Sequence, residues 1–192
     1  MELSNFLKSL LSDKYFLEID LMEESFSSED LVKNQYFLKA GDSPDTIAYL
    51  EEGICRGFYL DKEGNEHTTN FFVAPTFLAD LNGFIQKKSA KFNLQALTSA
   101  KIRICRLSKL YEMAEEYLII NKLFRLILEA AYSFQQDRQA SFIYSDATER
   151  YKDLMENRKQ LIEQVPQKYL ASYLGIQPQS LSRIRNLIAK GK

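Results

Sequence analysis

Residues 166–185 read PQKYLASYLGIQPQSLSRIR. Two prolines and one glycine punctuate this stretch. Pro166 stands where a helix would open, because proline's fixed φ suits the first turn and its missing N–H has no partner to lose there. Gly175 follows Leu174 as a C-cap glycine does, so a short helix is predicted over Gln167 to Leu174. Ile176 and Gln177 bridge to Pro178, which opens a last helix running to Ala189. Two short helices joined by a brief glycine-containing turn form a helix-turn-helix. Ala171 is small where the second helix must cross the first, and Ile176 plugs the angle between them. Leu181, Ile184 and Ile188 recur at helical spacing and supply the buried stripe of the second helix.

The opposite face of that helix is polar, with Gln177, Gln179, Ser180, Ser182, Arg183, Arg185 and Asn186. Arg suits guanine O6 and N7, and Gln or Asn suits adenine N6 and N7. The start of a recognition helix enters the major groove, so Gln179, Ser180 and Arg183 are expected to read bases. Gln167, Lys168, Ser182 and Arg185 are better placed for phosphates, and Gln177 lies beside both groups. From Gln164 to Lys192 there are five cations (Lys168, Arg183, Arg185, Lys190 and Lys192) and no acid. The whole chain carries a net charge of -1, so the body is acidic and the tail basic, as expected if one end meets an anionic partner. An ordinary helical hairpin with a solvated polar face is the competing reading.

Working backwards, Tyr117 to about Asp146 is predicted as one long helix. Ile120, Phe124, Ile127, Ala131 and Phe134 repeat at alternating spacings of four and three, a heptad seam expected to be a dimer interface. Leu123, Leu126 and Ala130 widen that stripe beyond what one neighbour can cover, so part of the face is expected on the barrel; a helix buried inside one subunit is the competing reading. Ser108 is read as the N-cap of a preceding helix. Glu149 to Glu163 is read as one helix between the long helix and the helix-turn-helix.

Between Asn34 and about Leu107 the period shortens. Thr46–Leu50, Ile54–Leu60, Glu66–Phe72, Phe92–Leu97 and Lys101–Arg106 read as strands, with turns at Ala40–Pro44, Glu51–Gly53 and Asp61–Asn65. Short strands at this spacing predict an antiparallel barrel or sandwich. Residues 1 to about 35 are read as helical, from Leu3, Phe6, Leu7, Leu10 and Leu11 and from a capped start at Ser27-Ser28-Glu29-Asp30.

Four features together resemble the Crp/Fnr superfamily of bacterial regulators: the barrel with YLEEGICRGFYLDKEGNE (49–66) and QALTSAKIRIC (95–105), the long helix, SDATERYKDLMEN (145–157), and VPQKYLASYLGIQPQSLSRIR (165–185). The Glu149-Arg150-Tyr151 run resembles the approach to the DNA-binding domain in a Bacteroides-like branch. The implied fold is α+β. It has an N-terminal antiparallel β-barrel of double-stranded β-helix (jelly-roll), cyclic-nucleotide-binding-like type (1–116), a long dimerisation helix (117–146) and a C-terminal all-α helix-turn-helix domain (147–192). The implied function is a homodimeric, cytoplasmic, DNA-binding transcription regulator, with double-stranded DNA as partner and RNA polymerase and a small-molecule effector as further ones. Family members continue past the recognition helix into a β-hairpin wing. The sequence ends at Lys192, so the wing is expected to be truncated and its share of the grip on the DNA backbone to be missing.

In the family's cyclic-nucleotide binders, a helix start with Gly-Glu and an Arg-Ser/Thr-Ala run hold the phosphate. They fall here near Ala79-Asp80 and Ala90-Lys91-Phe92, without the glycine and without the arginine. Ala79, Asp80, Lys91 and Asn93 mark the expected effector pocket. Cyclic AMP is not the expected effector, because a buried cyclic phosphate wants a guanidinium fork and Lys91 offers only a point charge; the pocket takes another effector or none.

A metal-dependent cupin enzyme would need several His, and the chain has one, His67. The two cysteines, Cys55 and Cys105, have neither metal-site nor disulfide-framework spacing and are expected to be reduced. No catalytic motif, signal peptide or membrane span is read in the sequence, so no enzyme activity and no membrane partner are expected. The alternative is a ligand-binding or protein-interaction module that does not bind DNA.

Overall fold

The computed structural model describes residues 1–10 and 16–190. Leu11 and Lys192, which took part in the helical pattern and the basic tail, lie outside the described residues. The chain divides into two compact units: Met1–Gly57 with Phe72–Ala131, and Phe58–Phe71 with Tyr132–Lys192. The class is α+β, as expected.

The first unit is built on α1 (Leu3–Leu10), α2 (Phe16–Glu24), β1 (Ser27–Leu31), β2 (Tyr36–Leu38), β3 (Ile47–Glu52), the start of β4 (Ile54–Leu60), the end of β5 (Glu66–Val73), β6 (Thr76–Ala79), α3 (Leu81–Ile85), β7 (Asn93–Ala96), β8 (Ala100–Cys105), α4 (Leu107–Glu116) and the first half of α5 (Leu118–Tyr144). Two four-stranded sheets, ordered β1-β8-β3-β6 and β2-β7-β4-β5, form the expected jelly-roll. β3 shows why the strands read as they do. Its apolar run is unbroken because both faces are covered: Ala48 and Leu50 join Leu38, Leu94 and Ile102 between the sheets, whereas Ile47 and Tyr49 join Leu7, Leu110 and Ile119 under the helices. Cys55 and Cys105 are buried free thiols, and burial pushes the Cys55 thiol up to about 12.

Several expectations on this unit need correction. Ser27–Leu31 is not a helix start. It is strand β1, paired antiparallel with β8 from Ser27↔Ile104 to Leu31↔Ala100, a ladder with a partner about seventy residues away that local capping chemistry does not reveal. Ser108 does not cap α4 either. Arg106 occupies the cap position without a side-chain bond, and the role falls to Asp45, whose carboxylate accepts from the Ser108 N–H (2.8 Å) and hydroxyl (2.9 Å). Between the expected strands Glu66–Phe72 and Phe92–Leu97 the chain also forms β6, and α3 begins beside Ala79-Asp80, where the resemblance implies a helix start.

The second unit contains the outer part of the β4–β5 hairpin, the end of α5, α6 (Ala147–Asn157), α7 (Lys159–Gln164), α8 (Gln167–Leu174) and α9 (Pro178–Lys190). The single helix expected over Glu149–Glu163 is two, broken at Arg158 (φ -140°, ψ 44°). Among the described residues, no helix is long and apolar enough to cross a membrane.

Candidate nucleic-acid interface

α8 starts after Pro166 and stops at Gly175, which sits at φ 72°, ψ 29°, where an L side chain is strained and glycine is not. The Gly175 N–H donates to the Ser172 carbonyl (3.1 Å) and the Ile176 N–H to the Ala171 carbonyl (3.0 Å), which is the paired bonding of a Schellman cap. Gly175 is demanded a second way: a Cβ there would lie 2.8 Å from Phe142 Cε1. The chain then turns into α9, with Pro178 as its first residue and the Ser180 and Leu181 N–H groups donating to the Gln177 carbonyl. Ala171 and Leu181 are both fully buried, and Ile176, Ile184 and Ile188 are half-buried. The crossing expected from the sequence is therefore formed, and Leu181 is its centre.

What that packing leaves outside is the polar edge. Gln177, Gln179, Ser180, Ser182, Arg183 and Arg185 are all exposed, so the structure brings the expected base readers together on α9. Lys168 is exposed on α8, with its ammonium 4.6 Å from the Tyr169 ring centre. Gln167 is only half-exposed, and its amide donates to the Pro178 carbonyl (3.3 Å), tying α8 to the start of α9. Leu187, 69 % exposed, is an apolar residue on this helix that the sequence reading passed over.

The frame behind the motif rests on residues whose role was not foreseen. Asp146 caps α6 and forms a capping box with Glu149: the Asp146 carboxylate accepts from the Thr148 and Glu149 N–H groups, while the Glu149 carboxylate accepts from the Asp146 N–H. The bond from the Glu149 N–H, above all, holds the Asp146 carboxyl below the usual carboxylate range. Arg150 donates to the Leu174 carbonyl (2.9 Å) and to the Ser145 carbonyl (2.5 Å). Arg138 donates to the Tyr173 carbonyl (2.7 Å) and lies 3.8 Å over the Tyr173 ring. Two guanidiniums thus receive the carbonyl end of α8, where cations are favoured. Tyr151 is buried. The Glu149-Arg150-Tyr151 run is a cap, a clamp and a core residue. The D-x-x-E spacing was the available signal for the cap; nothing local signalled the clamp.

On α5 the five seam residues divide. Ile120 is 1 % exposed within the core of its own unit, so it has no surface left for a partner. Phe124 and Ile127 are partly buried there, Phe124 with its ring 4.8 Å from that of Tyr111. Ala131 is exposed and Phe134 half-buried. The apolar stripe of the first turns faces the subunit's own helices, which is why heptad spacing alone overstates the seam. Exposed Leu128 and Tyr132 are the apolar surface that follows.

The four residues of the expected effector pocket are placed by the barrel. Ala79 ends β6, and Asp80 caps α3 by accepting from the Gly83 N–H (3.0 Å). Asn93 is buried and accepts from the Ala40 N–H (3.0 Å), and Lys91 is exposed. Gly57 faces Phe92 so closely that a Cβ would meet its ring at 2.2 Å. The barrel also holds a cation missed in the sequence: Arg56, 1 % exposed, donates through Nε (3.0 Å) and Nη2 (2.7 Å) to Gln95 Oε1. Its place between Cys55 and Gly57 in an apolar strand was the signal.

Residues 28–117 match the model of the cyclic nucleotide-binding domain family. No curated protein matches the chain by sequence. Among solved structures, the chain is similar to FixK2 from Bradyrhizobium japonicum (14 % identity, TM-score 0.75, covering 86 % of this chain and 85 % of that one). It is similar to the c-di-GMP responsive global regulator CLP of Xanthomonas campestris (15 %, TM-score 0.71, 90 % and 91 %). It is also similar to the catabolite activator protein of Thermus thermophilus (14 %, TM-score 0.58, 96 % and 87 %). The chain thus has the fold seen in the Crp/Fnr regulators, and its residues 28–117 match the cyclic nucleotide-binding domain family.

Proposed function

We propose that the chain is a homodimeric, DNA-binding transcription regulator of Crp/Fnr type that works in the cytoplasm and reads the major groove with α9. One observation carries this reading: a glycine-capped helix-turn-helix whose second helix buries Leu181 and exposes Gln179, Ser180 and Arg183, in a described stretch from Gln164 to Lys190 without one carboxylate side chain. Gln179, Ser180 and Arg183 are assigned to base edges, and Lys168, Ser182 and Arg185 to phosphates. Gln177 lies at the start of α9 beside the base readers. Gln167 acts chiefly by holding α8 to α9. In the dimer, the two recognition helices enter successive major grooves about 34 Å apart on a near-palindromic site. The partner helix packs on the α5 surface formed by Ile127, Leu128, Ala131 and Tyr132, with Phe124 and Phe134 at its margins; Ile120 is not part of it.

The barrel is the sensor. Its occupant is a small molecule other than cyclic AMP, since the expected phosphate-binding positions offer Lys91 where the family offers an arginine. The Glu149-Arg150-Tyr151 run supports placing the chain in the Bacteroides-like branch, and RNA polymerase is the second macromolecular partner.

Selection of duplexes from a random pool, followed by fluorescence anisotropy on the winner, tests the reading. A regulator of this kind enriches a two-fold-related sequence, and its affinity falls steeply as salt rises. No enrichment together with no binding at low salt would instead mark a ligand-binding or protein-interaction module that does not bind DNA.

A further inference from the structure

The second unit holds a cleft of about 530 Å³ between the end of α5, α6 and α8, a size typical of small-molecule sites. Three guanidiniums line it: Arg138, Arg150 and Arg158. Each is half-buried, hydrogen-bonds main-chain carbonyls, and lies over an aromatic ring: Arg138 over Tyr173, to whose side chain it also bonds, Arg150 over Phe142 and Arg158 over Phe134. Arg138 holds Tyr173, Arg150 holds Ser145 and Leu174, and Arg158 reaches the Phe71 carbonyl at 3.5 Å. None of them makes an ion pair with a carboxylate among the described residues. The acids of the same cleft are engaged elsewhere or stand at its rim. Glu149 completes the α6 capping box, Asp153 accepts from the Asn157 amide, and Asp137 is exposed. Arg150 Nε and Arg158 Nη1 are buried without a hydrogen-bond partner.

Half-buried charges are ordinarily paired, because desolvation penalises an isolated ion heavily. Three cations sharing a cleft also repel one another. Burial first, and Arg150 and Arg158 after it, make the Arg138 guanidinium less basic than usual. The chemistry that relieves both costs is a compact dianion with several oxygens, because guanidinium forks pair with phosphate bidentately. We propose that this cleft binds a small organic phosphate, with its phosphoryl oxygens on Arg138, Arg150 and Arg158 and its apolar part against Phe134 and Leu154. None of its lining residues is among the expected effector positions, and ligand binding there does not depend on the DNA-reading assignment of α9.

Isothermal titration of the full chain with phenyl phosphate at fixed ionic strength tests the proposal. The expected result is saturable binding at one site per chain, tighter than inorganic phosphate. It should weaken at least about tenfold in Arg158→Gln, the loss expected when a charge-assisted contact is removed, and less in Arg158→Lys, which keeps the charge. The double variant Arg183→Gln/Arg185→Gln strips cations from α9 and should bind phenyl phosphate unchanged. Arg158 makes only one long bond to the protein, so its variants should fold, and an unchanged far-ultraviolet circular dichroism spectrum checks this. A linear, non-saturating response, equal binding in Arg158→Gln, or a loss confined to the α9 double variant would each overturn the proposal. Failure of the α9 reading would appear separately, as absence of DNA binding in a protein that still takes up phenyl phosphate.

Discussion

Gly175→Ala should loosen the helix-turn-helix through two separable effects. Gly175 sits at φ +72°, and placing an L side chain in the left-handed region costs about 1–2 kcal/mol. The new methyl would also stand 2.8 Å from Phe142 Cε1, and overpacking of that kind costs about 1–3 kcal/mol. Phe142 is 44 % exposed, so its ring can swing partly aside and the second cost should fall in the lower half of its range. The sum is about 2–4 kcal/mol. The assay is urea denaturation followed by hydrogen exchange at amides of α8 and α9, which isolates this unit from the barrel. A double-mutant cycle separates the effects. In a Phe142→Ala background the methyl meets open space, so Gly175→Ala should there cost only the backbone share, about 1–2 kcal/mol. A single-variant loss below about 0.5 kcal/mol, within the range of an ordinary surface change, would refute the argument that this turn requires glycine. Equal losses in both backgrounds would refute the contact with Phe142.

Arg183→Ala should weaken operator binding by about 1–3 kcal/mol and relax base preference at one position per half-site; selection repeated on the variant checks it, and a uniform loss on all sequences would make Arg183 a phosphate contact instead. Tyr132→Glu places like charges at the proposed dimer face without entering the core of either unit, and sedimentation velocity should show monomers; an unchanged dimer would move the interface elsewhere. Cyclic AMP in a thermal-shift experiment should leave the melting temperature nearly unmoved, and a large saturable rise would show that another residue replaces the absent arginine. Asp61 carries a depressed pKa, chiefly from its 2.9 Å bond with His67 and next from Asn65. Its contribution to the hairpin is therefore present above the unfolded carboxylate value of about 3.9 and lost as pH falls through the lower folded value. A carbon-detected titration should show that value move up in His67→Ala.

The recognition motif was legible because its determinants are local. Pro166, Gly175 and Pro178 act within their own turn, and Leu181 declares its burial by spacing. What escaped the sequence depended on distant partners. Ser27–Leu31 carries helix-start residues, yet β8 recruits it as an edge strand across about seventy positions. Ser108 looks like a cap, but Asp45 supplies the oxygens from sixty-three residues upstream. The break at Arg158 has neither glycine nor proline to announce it. Ile120 fits a dimer seam by period, and only its burial in one cluster with Leu7 and Leu110 reveals that its surface is already used. Of the positions that the resemblance implies for an effector, Asp80 and Asn93 serve the backbone, which residue type alone does not reveal.

Arg138 on α5 and Arg150 on α6 both seize the final carbonyls of α8, so the last turns of the long helix, α6 and α8 are bolted together. On the proposed reading, loss of either arginine would therefore weaken the grip on DNA without removing a single base or phosphate contact.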